Sequence, residues 1–226
     1  MNLAAHPIQP VIQLASQAIL TPSELEEKHL DQVMGKLLSR QVDYADIYFQ
    51  SSRLESWVLE DGIIKEGNFN IDQGAGLRAV SGEKSGFAYM DEIQLPSLLE
   101  AADTACAIAR LGQNHIHKLP TNQFTEALYQ PLDPLSSMDE NSKIDLLRSL
   151  DAEARKQDPR VSQVIVSLAA VQDTVLIYSS NGDLNGDVRP LVRVNVNVVV
   201  EENGKREQGS SGGGARVALD YFTRDD

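Results

Sequence analysis

A run of glycine and serine near the end of the chain is the first candidate for chemistry. Residues 209–214 read Gly-Ser-Ser-Gly-Gly-Gly, within the segment EQGSSGGGARVALDYF at 207–222. A phosphate-binding Walker loop requires Gly-Lys-Ser/Thr at the start of a helix, whereas Ala215 and Arg216 follow the glycines here. A Rossmann fingerprint requires spaced glycines between a parallel strand and a helix, and this run follows the return strand of a predicted hairpin. The pattern therefore favours a flexible corner, or a backbone that another chain approaches.

Two histidines have a spacing that some metal sites use. His115 and His117 would lie on the same side of an extended segment. No third ligand is close in sequence, because His6 and His29 are distant. The surrounding residues 113–135 contain three prolines without clear periodicity, which predicts an irregular surface connection. Two ordinary imidazoles in a surface loop are therefore favoured over a metal site.

The other reactive side chains have ordinary structural explanations. Cys106 follows alanines at helical spacing, which predicts a buried helix face rather than a nucleophile. Trp57 alternates with polar neighbours, as a residue that anchors a sheet would. Glu60, Asp61 and Glu66 flank a hairpin turn, and a solvated turn is favoured over an acid–base pair because nothing fixes their separation. The residues alone supply no complete catalytic site.

The net charge, the cysteine count and the apolar runs limit the classes of protein to which the chain can belong. It has 226 residues, with 20 basic and 33 acidic side chains and a net charge of −13, which disfavours direct binding of nucleic acid. A single cysteine excludes an internal disulfide and indicates a reducing compartment, by default the cytoplasm. Residues 1–20 lack a basic region and are expected to be poorly ordered, and no apolar run is long enough to span a membrane.

Three helices are predicted. The first covers about 22–40, because Thr21-Pro22-Ser23-Glu24 forms a capping box with proline at the first helical position. The second covers about 94–112 and has an apolar face of small side chains. The third begins at a further capping box, Ser137-Met138-Asp139-Glu140, and ends before Pro159.

The rest of the regular structure is predicted to be β. Residues 44–91 form a four-stranded antiparallel meander with a tight turn at Asp61-Gly62, and residues 161–180 form two strands. In a long strand over 188–202, alternate valines form one face and polar residues the other, and Asn203-Gly204 turns the chain back. The predicted fold class is α+β, with helices packed on a large, curved, mainly antiparallel sheet.

Four segments resemble the amino-terminal region of the TldD/PmbA family of zinc metalloproteases, once described as modulators of DNA gyrase. The two longer ones are ESWVLEDGIIKEGNFNIDQGAGLRAVSGEKSGFAYMDEI at 55–93 and DVRPLVRVNVNVVVEENGKREQGSSGGGARVALDYF at 187–222. The shorter ones are DYADIYFQSS and DPLSSMDENSKIDLLRSLD. They occur in the family order, and the resemblance covers roughly residues 40–222.

The resemblance implies that the catalytic chemistry lies elsewhere. In the family, a carboxy-terminal domain binds zinc through a His-Glu-x-x-x-His helix and a further cysteine, and the glutamate acts as general base. No His-Glu pair occurs in residues 1–226, and Cys106 is predicted to be buried, so neither the ligands nor the base carry over. Residues 21–226 are therefore expected to form the non-catalytic amino-terminal domain, with no cofactor of its own and the catalytic domain absent; zinc belongs to the full-length family protein.

The resemblance also implies partners. This region is expected to shape the substrate chamber and to pair with a TldE/PmbA-like subunit or with itself, while extended peptides are the expected substrates. The alternative is a stand-alone scaffold or dimerisation module without a role in proteolysis. A substrate or partner strand would approach the backbone of the glycine run, and the candidate residues are Gly209, Ser210, Ser211, Gly212, Gly213 and Gly214.

Overall fold

The computed structural model describes residues 8–38, 42–109 and 128–223. These ranges contain the helices α1 Ile8–Ile19, α2 Glu27–Leu37, α3 Leu95–Ala109 and α4 Glu140–Gln157, with a short 3-10 helix at Leu219–Thr223. The strands are β1 Tyr44–Glu60, β2 Ile63–Ser81, β3 Lys84–Met90, β4 Val161–Ser179, β5 Leu184–Glu202 and β6 Lys205–Ala215. They form one open antiparallel sheet in the order β3-β2-β1-β4-β5-β6, which confirms the predicted α+β class. Among these helices, none has both the length and the apolar composition that a bilayer span requires.

The chain divides into two compact units, each with its own core. The first unit consists of Met1–Ser52, Asp72–Leu128 and Asp173–Val188, and the second of Arg53–Ile71, Tyr129–Gln172 and Arg189–Asp226. The division falls inside β1, β2, β4 and β5, so each of these strands contributes residues to both units.

The core of the first unit lies between α1, α2 and α3 and one face of its strands. Alternate strand residues enter it, as the twofold repeat of a strand requires. Those from β1 and β2 are Ala45, Ile47, Phe49, Ala75, Leu77 and Ala79, and the helices add Leu30, Val33, Leu37, Leu98, Ala102 and Ala105. In β3, a Cβ on Gly86 would lie 1.9 Å from the carbonyl oxygen of Ala105, so the close approach of α3 to this strand requires glycine.

The core of the second unit is built largely from valine and leucine. Its buried residues from the sheet and from α4 include Leu59, Val164, Val166, Leu168, Val192, Val194 and Leu147. The predicted faces of β5 are confirmed here, because Val192 and Val194 are buried while Arg193 between them is exposed.

The predicted start of the first helix is wrong. Helix α2 begins at Glu27, and the backbone N–H of Glu26 donates to Nδ1 of His29 at 3.0 Å. The residues 21–24, predicted as a capping box, form turns instead. Ser23 donates its hydroxyl to the carbonyl of Ile19 at 2.9 Å, and Glu24 has a positive φ of 54°. A side chain inside the predicted capping box therefore bonds back to the end of α1 instead of lying in the first turn of a new helix.

The third predicted helix begins with a different cap. Asp139, not Ser137, is the N-cap of α4, and it accepts a hydrogen bond from the N–H of Ser142 at 3.0 Å. The hydroxyl of Ser137 donates to the carbonyl of Pro134 and accepts from the N–H of Leu219, so this side chain stabilises a loop. The helix ends at Gln157, before the proline, as predicted.

Strands predicted to be short are continuous. Residues 44–91 form three strands instead of four, and residues 161–180 contain one strand where two were predicted. The predicted turns are confirmed, because Asp61 and Gly62 have φ values of 50° and 77°, and Asn203 and Gly204 of 52° and 74°. Only residues that tolerate a left-handed backbone fit such turns, so the sequence predicts where the two turns lie.

Helix α1 lies in the segment 1–20, for which the sequence predicted poor order. Pro10 falls in its first turn, where a missing N–H leaves no hydrogen bond unmade. Ala15 and Ile19 are buried, and a Cβ on Gly186 would lie 3.0 Å from the Cβ of Ala15. The division into a terminal segment and a single domain over 21–226 stays a prediction.

A buried ion pair joins α4 to β1 in the second unit. The ammonium group of Lys143 donates to Oε1 and Oε2 of Glu55 at 2.9 and 2.8 Å, and to the carbonyl of Leu135 at 2.8 Å. The indole N–H of Trp57 donates to the same carboxylate at 2.6 Å. The Lys143 side chain is only 6% exposed, and its three donors all have acceptors, so the charge is compensated without water.

We expect Lys143→Met to lower the free energy of unfolding by about 3 kcal/mol, because it leaves the Glu55 carboxylate buried without its cation. The double variant Glu55→Leu/Lys143→Met is expected to lose less, since it removes both charges. Urea unfolding measures both. The matched control is Lys156→Met, whose exposed partner is Glu153, and it should change stability by less than about 0.5 kcal/mol. A single Lys143 variant as stable as this control would contradict the assignment.

Candidate functional site

The glycine and serine run lies inside the edge strand of the sheet. Strand β6 pairs antiparallel with β5 from Val192 opposite Ala215 to Glu202 opposite Lys205. Among the described residues, no strand pairs with its other edge, and residues 205–214 are exposed. The expectation of a flexible corner is therefore wrong. The six residues lie in regular β-structure, because the turn at Asn203-Gly204 fixes their register with β5.

Two of the glycines are required by the strand next to them. A Cβ on Gly212 would lie 2.5 Å from Oδ1 of Asn195 and 2.6 Å from the carbonyl oxygen of Val194. A Cβ on Gly214 would lie 2.5 Å from the carbonyl oxygen of Val192. All three distances are shorter than a Cβ atom adopts in real structures, so the close approach of β5 and β6 explains these two glycines.

The other two glycines have no such explanation. A Cβ on Gly209 or Gly213 would meet no atom of the described part of the chain within 4 Å. Gly209, Ser211 and Gly213 lie on the same face of β6, and this is the face that carries the valines of β5. The backbone on this face is bare and open, next to an edge whose outward N–H and C=O groups have no strand partner among the described residues.

The chain after β6 is anchored to the second unit. The guanidinium carbon of Arg216 lies 5.0 Å from the centroid of the Tyr129 ring. Leu219 is fully buried, and its N–H donates to Ser137 at 3.0 Å. Cation–π attraction and burial hold this end of the strand, which favours a preformed edge over one that orders on binding.

The candidate residues on the helix and on β1 have structural roles. Cys106 is 2% exposed, and its thiol donates to the carbonyl of Leu37 at 3.2 Å, so the predicted buried position is confirmed. Trp57 packs against the second core as a sheet anchor. A Cβ on Gly67 would lie 3.0 Å from its ring, which explains a glycine on the adjacent strand.

The carboxylates at the β1–β2 turn do not form an acid–base pair. Glu60 accepts a hydrogen bond from Gln163, and Asp61 accepts from the N–H of Val164 and pairs with Arg155. The N–H of Val164 and then Arg155 lower the pKa of Asp61. Because the folded-state pKa is lowered, the stabilisation is present above the ordinary pKa and is lost as the pH falls through the lowered one. These side chains fix the turn.

A zinc site does not fit the described residues. They contain no group of three histidine, cysteine, aspartate or glutamate side chains able to hold a metal ion. His115 and His117 lie outside the described residues, as does most of the predicted connection 113–135. Of the remaining donors, Nδ1 of His29 accepts the N–H of Glu26, and the Cys106 thiol is buried.

A recess in the first unit was not predicted from the sequence. Its volume is about 290 Å³, and it is lined by aromatic rings, carboxylates and glycine backbone from β1, β2 and β3. A signal was present, because the pairs Gly74/Gly76 and Phe87/Tyr89 both have the i, i+2 spacing of residues that share one face of a strand. Each pair by itself is typical of an ordinary strand. Only the register between β2 and β3 shows that the two pairs lie next to each other.

The chain matches two models of one metallopeptidase family. Residues 45–109 match PmbA/TldA metallopeptidase domain 1, and residues 133–226 match the PmbA/TldA metallopeptidase central domain. A metalloprotease TldD homolog from Haemophilus influenzae is 47% identical over 214 residues, which cover 94% of this chain and 44% of the relative. A second, from Buchnera aphidicola subsp. Schizaphis graminum, is 40% identical over 216 residues, or 95% of this chain and 45% of the relative. The chain spans less than half the length of the curated relatives it matches.

Solved structures share the fold. TldE from Thermococcus kodakarensis superposes with a TM-score of 0.65 at 13% identity, over 84% of this chain and 43% of that one. A protein from Bacteroides thetaiotaomicron, described as a modulator of DNA gyrase, superposes with a TM-score of 0.69 at 15% identity, over 84% of this chain and 45% of that one.

We expect Gly212→Ala and Gly214→Ala each to destabilise the second unit by about 2 kcal/mol, since the new Cβ forces β6 away from β5. Gly213→Ala is the matched control, and its open position predicts a change within about 0.5 kcal/mol of the parent chain. Urea unfolding and amide exchange along β6 measure the difference. Equal stability for all three variants would rule out the close approach.

Proposed function

Because the chain belongs to the TldD/PmbA metallopeptidase family, we propose that it is the non-catalytic amino-terminal part of a TldD-like zinc metalloprotease. In this role it helps to form the chamber around the protease site and supplies an edge for an extended polypeptide. The observation that carries the proposal is the open outer edge of β6, with bare backbone at Gly209 and Gly213.

The edge of β6 suits an added strand. A β-strand binds such an edge through main-chain hydrogen bonds, which do not depend on the sequence of the bound peptide. The added strand's side chains would lie next to the bare backbone at Gly209 and Gly213, where a Cβ would meet no atom of the described residues within 4 Å. The anchored segment after β6 supports the proposal, because a preformed edge binds without the entropy loss of ordering a loop.

Two kinds of strand fit this edge. One is an extended peptide substrate, and the other is a segment of a TldE-type partner subunit. The structural likeness to TldE favours a partner from the same family. Both would use the same backbone groups, so a tightly bound partner strand would prevent substrate from binding there.

Zinc is part of this proposal only because the chain belongs to a metallopeptidase family. In the full-length protein it would polarise the scissile carbonyl and activate water. The described residues supply no ligand set for it, so the proposed contribution of this chain is to bind and align a polypeptide. A stand-alone scaffold or dimerisation module is the alternative, and the same open edge would then pair with a second copy.

We expect Gly213→Val to weaken binding of an extended peptide at least about fivefold, because the new side chain occupies the space that a side chain of the neighbouring added strand would take. A fluorescein-labelled peptide, Lys-Thr-Val-Thr-Val-Thr-Val-Lys, provides the probe, and fluorescence anisotropy measures its affinity for the whole chain. The control peptide carries alternate N-methyl groups and should not bind, since it cannot form the ladder. Unchanged affinity in a folded Gly213→Val chain would reject the proposed site.

We expect the chain to hydrolyse no peptide when Zn²⁺ is added. A quenched fluorescent peptide, assayed with and without 1,10-phenanthroline, provides the measurement. Phenanthroline-sensitive cleavage by the chain itself would overturn the non-catalytic assignment.

Light scattering tests the alternative of a stand-alone scaffold. A scaffold that pairs through β6 should self-associate, and Gly213→Val should weaken that association.

A further inference from the structure

The recess in the first unit lies on the sheet face opposite the helices. On β1, Ala45, Ile47 and Phe49 are buried in the core, so Tyr48, Gln50 and Ser52 point the other way. On β3, Gly86 contacts α3, and Phe87 and Tyr89 are therefore directed to the same outer face. The exposed fractions of Phe87 and Tyr89 are 56% and 74%, which is high for aromatic residues within a strand.

Glycine backbone forms the floor of the recess. Gly76 pairs with Tyr89, and a Cβ on Gly76 would lie 2.7 Å from the ring of Phe87. The outer end of the Phe87 ring thus lies next to the bare backbone of Gly76. A Cβ on Gly74 would lie 2.8 Å from the carbonyl oxygen of Met90, where β3 ends. Side chains at these positions would fill the recess, so its depth depends on both glycines.

Aromatic rings and carboxylates form the walls. Tyr48, Phe87 and Tyr89 supply the rings, and Asp72 and Asp91 the carboxylates. Within the described residues, neither carboxylate has an ion pair or hydrogen bond. Rings attract a cation through their faces, and the carboxylates neutralise it, whereas an anion would be repelled. The net charge of −13 adds to the preference for a cation.

The same sheet face already holds an arginine in this way. The guanidinium carbon of Arg78 lies 5.7 Å from the centroid of the Tyr44 ring, and Nε of Arg78 donates to Asp46 at 2.8 Å. Asp46 thus satisfies Arg78, and Arg78 does not line the recess. The neighbouring recess repeats the combination of tyrosine and aspartate without a described cation.

We propose that the recess binds the guanidinium group of an arginine side chain presented by a polypeptide. A planar guanidinium stacks on an aromatic ring while its N–H groups donate in the plane to carboxylates, and the recess supplies both partners. The volume of about 290 Å³ is just below the roughly 300–1,000 Å³ of sites for drug-sized ligands, so one side chain fits better than a larger molecule. Recognition of guanidinium stands apart from the proposed function, and only the choice of a polypeptide as its carrier rests on it.

The test uses Nα-acetyl-L-arginine amide as the probe and the whole chain as the receptor. Two-dimensional NMR titration should give binding with a dissociation constant of about 1 mM, with shift changes at the amides of Gly74, Gly76 and Asp91. The citrulline analogue, which has the same shape without the charge, should bind at least about fivefold more weakly. Added salt should weaken only the arginine probe.

Variants test whether the arginine probe binds in the recess. Asp72→Asn/Asp91→Asn and, separately, Tyr89→Leu should each weaken the arginine probe about threefold or more. These side chains are exposed, so the chain should stay folded. The matched controls are Glu83→Gln, on the β2–β3 turn outside the recess, and Tyr221→Leu in the second unit, and both should leave binding unchanged.

Equal affinity for the arginine and citrulline probes, or shift changes away from the recess, would overturn the proposal. Absence of binding at 20 mM probe would overturn it as well. None of these results would affect strand binding at β6 or the lack of hydrolysis, because those are measured with different peptides and variants. The two proposals can therefore fail separately.

Discussion

The twofold alternation of side chains along four long strands is the constraint on which the structure depends. Strands β1, β2, β4 and β5 have 17 to 19 residues each, and every one of them contributes to two separate cores. A shift of one residue in the pairing would turn the apolar residues of both cores towards solvent. The turns at Asp61-Gly62 and Asn203-Gly204 help to prevent this shift, because a two-residue turn with positive φ fixes the pairing of the strands that it joins.

Glycine has two different functions in this sheet. At Gly86, Gly212 and Gly214 it permits close packing within the chain, since a Cβ would collide with backbone atoms of a neighbouring element. At Gly209 and Gly213 it leaves open space on an edge strand, which no residue in the described ranges fills. A glycine-rich sequence alone does not separate the two functions. The identity of the strand partner and the register with it decide which positions are structural.

Much of the fold could be predicted because its signals are local. The hairpin turns were found from residues that tolerate positive φ, and the faces of β5 from alternating valines. The family resemblance, predicted from quoted segments, is confirmed by the matched models and relatives. Two of the three predicted helix starts were wrong, because local hydrogen bonds compete with the predicted caps: Ser23 bonds back to α1, and Ser137 bonds within a loop. The recess was missed because three strands build it, and pairing between strands is a non-local property.

The contact between α2 and α3 has a consequence for the dynamics of the first unit. The thiol of Cys106, which is the only one in the sequence, is 2% exposed and directed at the carbonyl of Leu37, the last residue of α2. A reagent such as dithionitrobenzoate reaches this sulfur only when the two helices separate. The rate of its colour development would therefore report how often the helical layer opens, without any label added to the protein.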